Sequence, residues 1–283
     1  MLDAPLNSWM FRETIPDSAT DATTVPNNLP ASTIWHMIVE YSLREAEMAT
    51  YLLVHGAWHG GWCWVRVAKL LRDAGHDVYT PTLTGLGDRA HLATPETDLE
   101  CHINDLLAVI EAEELKDLVL CGHSYGGQVI TPVLDRQIDK FCAAIWLDAF
   151  VPQDGHSLMD GWSPERAQRI REQVATTGDG WKVDPMPPDY FGVMDPDDAD
   201  WLTRRCVPQP IRTFSQPVHL TGAWQSVPRK MYLLAEHHPN SSFNRFATPL
   251  SHEPDWDVRT ISSGHDVMID APDLLAELLL EFG

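Results

Sequence analysis

Apolar residues in this chain fall into short unbroken runs separated by stretches with helical spacing. The runs at Thr50–Val54, His76–Thr80, Leu118–Gly122, Phe141–Phe150, Lys230–Glu236 and Trp256–Ser262 predict strands. They do not alternate apolar with polar, so both faces of each strand should be covered, as in a parallel sheet. Between them, Trp62 to Ala74 carries Trp64, Val67, Leu70 and Leu71 on one helical stripe, with Gly75 as its stop. Glu96 to Glu114 repeats the pattern with Leu99, Ile103, Leu106, Leu107 and Ile110, and Gln128–Arg136 and Ala271–Phe282 complete the helices. Pro132 should kink or interrupt the helix that holds it, because proline donates no backbone hydrogen bond. Alternating strands and helices of this kind predict an α/β layer structure with helices on both faces of the sheet.

The alternation fails in two places. Residues 1–47 begin with a stretch, Asp17 to Ser32, rich in Asp, Ala, Thr, Pro and Asn. It has little to bury and reads as disordered. Ile34 to Met48 could add a short helix, and Met48 itself stands where an alternative translation start would lie. The second break, residues 151–227, is polar and proline-rich with helical pieces at Pro164–Thr176 and Pro196–Arg205. A connection of that length in a compact fold is expected to be a functional insertion. The predicted division is therefore an N-terminal extension at 1–47, a core at 48–150 and 228–283, and a cap at 151–227.

Composition narrows the chemistry. A formal charge of −21 over 283 residues disfavours nucleic acid and anionic membrane surfaces, which call for a basic face. Five cysteines with no Cys-x-x-Cys pair are best read as free thiols in a reducing cytoplasm. No apolar run reaches the length of a membrane span, and no secretory leader is evident.

The strand at Leu118–Gly122 ends in Gly122-His123-Ser124-Tyr125-Gly126, a Gly-x-Ser-x-Gly turn between strand and helix. In that context the serine is a candidate nucleophile on a strained elbow. A serine hydroxyl needs a base, and the base needs an acid. His265 is the candidate base, since it follows the last strand and precedes the last helix. Backbone amides of Tyr125 and Ala57 are candidate oxyanion donors, the second from the glycine-rich loop after the first strand. No phosphate-cradle motif is present, and the histidines show no metal-ligand spacing. His123 is expected to orient the elbow backbone, while His237 and His238 are expected to be solvated.

Together, the segments Val54 to Trp64, Pro81 to Arg89, Gly122 to Gly127 and Leu147 to Pro152 resemble the α/β-hydrolase superfamily. More narrowly they resemble the branch that holds plant methyl-ester esterases, hydroxynitrile lyases and bacterial pyrethroid- and carbamate-type ester hydrolases. The resemblance runs from Met48 to the C-terminus. It implies an α/β-hydrolase fold, a mostly parallel sheet with an inserted helical cap. It also implies Ser124 as nucleophile, His265 as base, and Ala57 and Tyr125 as oxyanion donors, with no cofactor and no metal. The family's acid follows the strand at Met231 to Ala235, where this chain reads Tyr232-Leu233-Leu234-Ala235-Glu236-His237-His238. Counting from Tyr232 puts His238 at the acid position, whereas counting back from Phe243 puts Glu236 there. A histidine cannot supply the negative charge, so Glu236 is the expected acid and Asp148 the alternative.

The implied partner is a small hydrophobic ester or carbamate, with neither nucleic acid nor membrane, and a homodimer stays open. The implied reaction is acyl transfer through Ser124. A hydroxynitrile lyase is disfavoured by Gly56 and Asp266, where those enzymes carry threonine and lysine. Carbon–carbon bond hydrolysis and a catalytically inactive binding protein are the remaining alternatives.

Overall fold

A computed structural model describes residues 48–238 and 242–283; the reading of residues 1–47 lies outside the described residues. In chain order the core elements are β1 (Thr50–Val54), α1 (Val65–Asp73), β2 (Asp77–Tyr79), α2 (Leu99–Ala112), β3 (Leu118–His123), α3 (Gly126–Arg136) and β4 (Phe141–Leu147). The next segment carries α4 (Pro164–Thr176), β5 (Lys182–Val183), α5 (Pro188–Phe191), α6 (Pro196–Arg205), β6 (Gln209–Pro210) and α7 (Arg212–Ser215). The core resumes with β7 (Arg229–Ala235), α8 (Asn244–Leu250), β8 (Trp256–Ile261), α9 (Val267–Asp270) and α10 (Pro272–Phe282).

Six strands form one sheet in the order β2-β1-β3-β4-β7-β8, and every neighbouring pair is parallel. The apolar runs explain this arrangement. All six residues of β3 are buried, as are four of the five in β1, so these strands need cover on both faces. The chain steps outward from β1 to β2, then returns across β1 to β3. With right-handed crossovers, that reversal places α1 on one face and α2 and α3 on the other. Packing follows the same division, α1 against α10 and α2 against α3. The point of reversal lies between β1 and β3, whose carboxyl ends open the crevice where such sheets bind ligands.

Besides shifts of one to three residues at element ends, two features differ from the sequence reading. The strand from Phe141 ends at Leu147 because Asp148 takes φ 40°, which turns the chain out of the extended region. Helix α3 runs unbroken through Pro132, although an interruption was expected. Every residue from Gly126 to Asp135 is buried. Packing on that scale outweighs the roughly 3 kcal/mol that an internal proline costs.

Residues 151–227 fold as short helices around the antiparallel pair β5–β6. Ser163 and Asp195 cap α4 and α6, each followed by proline in the first turn. The segment rejoins the core through Asp135, whose carboxylate accepts the amides of Thr221 (2.6 Å), Gly222 (2.9 Å) and Trp224 (3.1 Å). Among the described residues, no helix is long and apolar enough to cross a membrane.

Candidate active site

Ser124 sits between β3 and α3 with φ 54°, a left-handed conformation that non-glycine residues rarely adopt. Trp58, after β1, and Asp148, after β4, share this feature at φ 66° and 40°. Three such residues at the same end of one sheet, each costing about 1–3 kcal/mol, mark a place where function overrides local preference. The elbow is clamped from the neighbouring strand: Ser124 N–H donates to Leu147 O (3.1 Å), and Phe150 N–H donates to Ser124 O (3.1 Å). Gly56 lies against it. A Cβ there would stand 3.0 Å from Ser124 Cβ and 2.8 Å from His123 Nδ1, so any side chain at this position would crowd Ser124.

His265 follows β8 and is buried. Its Nδ1 lies 2.6 Å from Asp148 Oδ2. Donation from Nδ1–H to this carboxylate leaves Nε2 free as the basic nitrogen. Burial alone would raise the Asp148 carboxyl, but bonds from His238 and His265 hold it at about 2. The carboxylate is therefore ionised and bonded to His265.

This corrects the expectation for Glu236. Its carboxylate is exposed and accepts from Thr260 Oγ1 at 2.7 Å, so it does not serve His265. The carboxyl end of β7 directs Glu236 outward, while the left-handed turn at Asp148 aims the other carboxylate inward. His238 was expected in solvent and is instead buried, with Nδ1 3.0 Å from Asp148 Oδ2. His237 is exposed and bonds Ser262 Oγ (2.9 Å). His123 does not hold the elbow backbone as expected. Its Nε2–H donates to the carbonyl of His265 (2.9 Å), tying the His265 loop to the residue before Ser124. Burial and the neighbouring His265 hold the His123 imidazole well below its ordinary value.

Ala57 and Tyr125 lie on the two loops that flank Ser124. Among the described residues, neither backbone N–H has a hydrogen-bond partner, which is what oxyanion donors require before substrate arrives. The loop bearing Ala57 is held by long-range bonds the sequence did not reveal. Gln209, fully buried, accepts Trp58 N–H (2.8 Å), and Trp58 Nε1–H donates to Val183 O (3.0 Å). The Tyr125 hydroxyl donates to His102 Nδ1 (2.9 Å) while His102 Nε2–H donates to Thr84 O (2.8 Å). Burial lowers His102 to about 4, so the ring is neutral and can play both parts.

A second acid–imidazole pair lies behind the first. His59 Nε2 is 3.1 Å from Asp266 Oδ2, with both residues buried. Burial alone would lower His59, but the Cys206 thiol and Asp266 raise it well above its ordinary value. Asp266, which burial alone would raise, is held at about 2 chiefly by His59. Two groups, His123–His265–Asp266 and Asp148–His238–His265, bring possible ligand atoms within 4.8 Å of one another. Both are built around buried imidazoles and carboxylates, and a cation in the second would compete with the N–H donors that Asp148 already accepts.

Aromatic rings join the elbow to residues 151–227. Trp58 meets Phe214 at 5.9 Å and Phe191 at 6.1 Å, Tyr125 meets Phe214 at 5.5 Å, and Trp162 meets Phe214 at 5.8 Å. Phe191 stacks on His265 at 5.9 Å and accepts its backbone N–H at 2.7 Å. A separate cavity of about 520 Å³ is lined by Gln128, Phe150, Leu158, Trp224, Arg245 and Phe246 among others. Neither Ser124 nor His265 lines it, so the reacting carbonyl does not belong there.

The chain matches the Alpha/beta hydrolase family over residues 51–278. It belongs to the α/β-hydrolase family. A carbendazim hydrolyzing esterase from Nocardioides sp. (strain SG-4G) is 47% identical over 243 residues, 83% of this chain and all of that protein. An extracellular α/β-hydrolase from a Paenibacillus species, whose structure is described as sharing structural and functional homology with tobacco salicylic acid binding protein 2, superposes with a TM-score of 0.73. That structure is 26% identical, over 83% of this chain and 99% of its own. A pyrethroid hydrolase from Sphingobium faniae JZ-2 shares the fold, with a TM-score of 0.64 at 22% identity over 83% of this chain and 97% of its own. This α/β-hydrolase thus has the fold anticipated from its four motifs.

Proposed function

We propose that this α/β-hydrolase cleaves small hydrophobic carboxylic and carbamate esters by two-step acyl transfer on Ser124. The observation that carries the reading is the 2.6 Å contact between His265 Nδ1 and the buried Asp148 carboxylate, at the sheet end that also presents Ser124. His265 Nε2 takes the Ser124 proton as Oγ attacks the carbonyl, and the amides of Ala57 and Tyr125 receive the oxyanion. Collapse expels the alcohol, which leaves with the proton from His265. Water then attacks the acyl- or carbamoyl-serine with the same base, releasing the acid and restoring Ser124.

Asp148 supplies the negative charge that the imidazolium needs. Residues 151–227 act as a cap: Phe191, Phe214 and Trp162, packed with Trp58 of the loop after β1, place aromatic surface beside the elbow, which suits an apolar or aromatic acyl or leaving group. The carbendazim hydrolyzing esterase supports a carbamate among the substrates. The reaction calls for no cofactor, and its partner is the small-molecule ester itself. All five cysteines are free thiols, which favours a reducing cytoplasm.

The test is a ranked panel of aryl and alkyl esters, methyl carbamates and matched amides. Aryl esters and carbamates should lead in kcat/KM, with amides far below. A panel led by amides or by polar, charged esters would overturn the substrate assignment.

A further inference from the structure

His238 occupies a position the mechanism above does not use. It is 8% exposed, its Nδ1 donates to the same Asp148 oxygen that serves His265, and its ring stacks on His265 at 4.4 Å and 29°. Aromatic side chains enclose it. Phe243 lies at 5.8 Å and itself stacks on His265 at 5.4 Å, while Tyr190 of α5 stands edge-on at 6.2 Å. The other nitrogen, Nε2, is buried without a partner among the described residues. A buried unpaired nitrogen is costly, so the gain must come from the two contacts that remain.

Those contacts have a definite geometry. Asp148 Oδ1 accepts Ala235 N–H at 3.2 Å, and Oδ2 accepts both imidazoles. The Ala235 amide holds Oδ1 and the His265 N–H holds Oδ2; the His238 N–H adds a second donor on Oδ2, beside the stacked His265 ring, and further restricts rotation of the carboxylate plane. Stacking on His265 restricts the base's ring in turn.

We propose that His238 is a positioning residue: its Nδ1–H locks the Asp148 carboxylate plane and its ring holds His265 in line with Ser124. This rests on the serine-hydrolase reading. The groups facing His238 are Asp148 at the end of β4, His265 and Asp266 on the β8–α9 loop, and Tyr190 on α5. Burial lowers the His238 imidazole, against the pull of Asp148, and the ring is neutral where the enzyme works. His238 therefore adds a dipole and not a charge. Because its N–H draws on the Asp148 oxygen, it weakens that carboxylate's hold on a protonated His265.

The test compares His238→Phe with His238→Asn. Phenylalanine keeps the stacked ring and removes the donor, and asparagine keeps a donor at the position of Nδ1. Hydrolysis of a short p-nitrophenyl ester would be followed across pH, with kcat normalised to sites titrated by a serine-directed phosphonate. His238→Phe should lower kcat about tenfold or more with little change in KM. It should also move the acid limb of kcat/KM to higher pH, since the unshared Asp148 charge then holds the imidazolium proton more tightly. His238→Asn should restore most of kcat and return the limb toward wild type. A His238→Phe enzyme with wild-type kcat and an unmoved limb overturns the proposal, as does an Asn variant no better than Phe per titrated site. If the wild-type enzyme itself neither turns over nor takes up phosphonate, the hydrolase reading fails instead.

Discussion

Replacing Asp148 by asparagine probes the site at its most constrained point. The wild-type carboxylate accepts three N–H groups, from His265 (2.6 Å), His238 (3.0 Å) and Ala235 (3.2 Å). Asparagine has one oxygen. If that oxygen faces the two imidazoles, its NH₂ meets the Ala235 amide donor to donor; if it faces Ala235, the NH₂ meets both imidazoles. Either orientation leaves a buried donor unpaired, at a cost of about 1–3 kcal/mol. Each kcal/mol should lower Tm by roughly 2–4 °C in a chain of this size. The catalytic loss is larger. An imidazolium formed about 4 Å from a carboxylate gains about 4 kcal/mol at an effective dielectric of about 20. Removing that charge should therefore lower kcat by about 10³-fold. Rearrangement of His265 to the other tautomer takes the loss toward about 10⁴-fold. The assay is p-nitrophenyl acetate turnover per phosphonate-titrated site, with circular dichroism for Tm and Glu236→Gln as control. The Glu236 side chain is exposed and bonds only Thr260 among the described contacts, so the control should stay within about twofold of wild type. An Asp148→Asn enzyme within tenfold of wild type, beside a Glu236→Gln enzyme that loses most activity, would refute this reasoning.

Asp270 gives a pH test of stability. Burial, with the charges of Asp266 and Asp198 nearby, raises its carboxyl to about 7, and its Oδ2 is buried without a partner among the described residues. A carboxyl raised in the folded state binds a proton that the unfolded chain has released, so stability is full below about pH 4 and falls as pH rises through about 7. Tm measured from pH 5 to 8 should therefore decline more steeply in wild type than in Asp270→Asn, and equal slopes would exclude Asp270 as a source. Asp135→Asn removes one acceptor from a carboxylate that serves three backbone amides. It should lower stability by about 1.5–3 kcal/mol in urea unfolding while KM for a short ester stays near wild type, because the anchored residues lie away from Ser124.

The sheet was legible because its information is local. Runs such as Leu118–Val119–Leu120–Cys121 are apolar on both faces, and only a covered parallel strand satisfies them. Ser124 and His265 were legible for a related reason, since a strand–turn–helix context and a place in chain order both survive without coordinates. The acid was not. Glu236 and Asp148 both follow predicted strands, and the choice depends on which way each chain end turns. The 40° φ at Asp148 turns its carboxylate toward His265, and no residue type announces it. His238 was misplaced because part of its cover comes from residues far along the chain, His265 and Tyr190, the latter 48 positions earlier in a segment whose packing the periodicity does not reveal. Yet the count from Tyr232 had already put His238 at the family's acid position, and that was a usable signal. The His59–Asp266 pair joins residues 207 positions apart, beyond any motif.

The most direct test of the account is where a serine-directed phosphonate attaches. Incubation followed by intact-mass measurement and peptide mapping should find one phosphonyl group per chain, on Ser124, with esterase activity falling in proportion to labelling. Ser124→Ala should take up no label and release no p-nitrophenol above buffer. Labelling at another residue, or a Ser124→Ala enzyme that still hydrolyses esters at the wild-type rate, would contradict the assignment of Ser124 as the nucleophile.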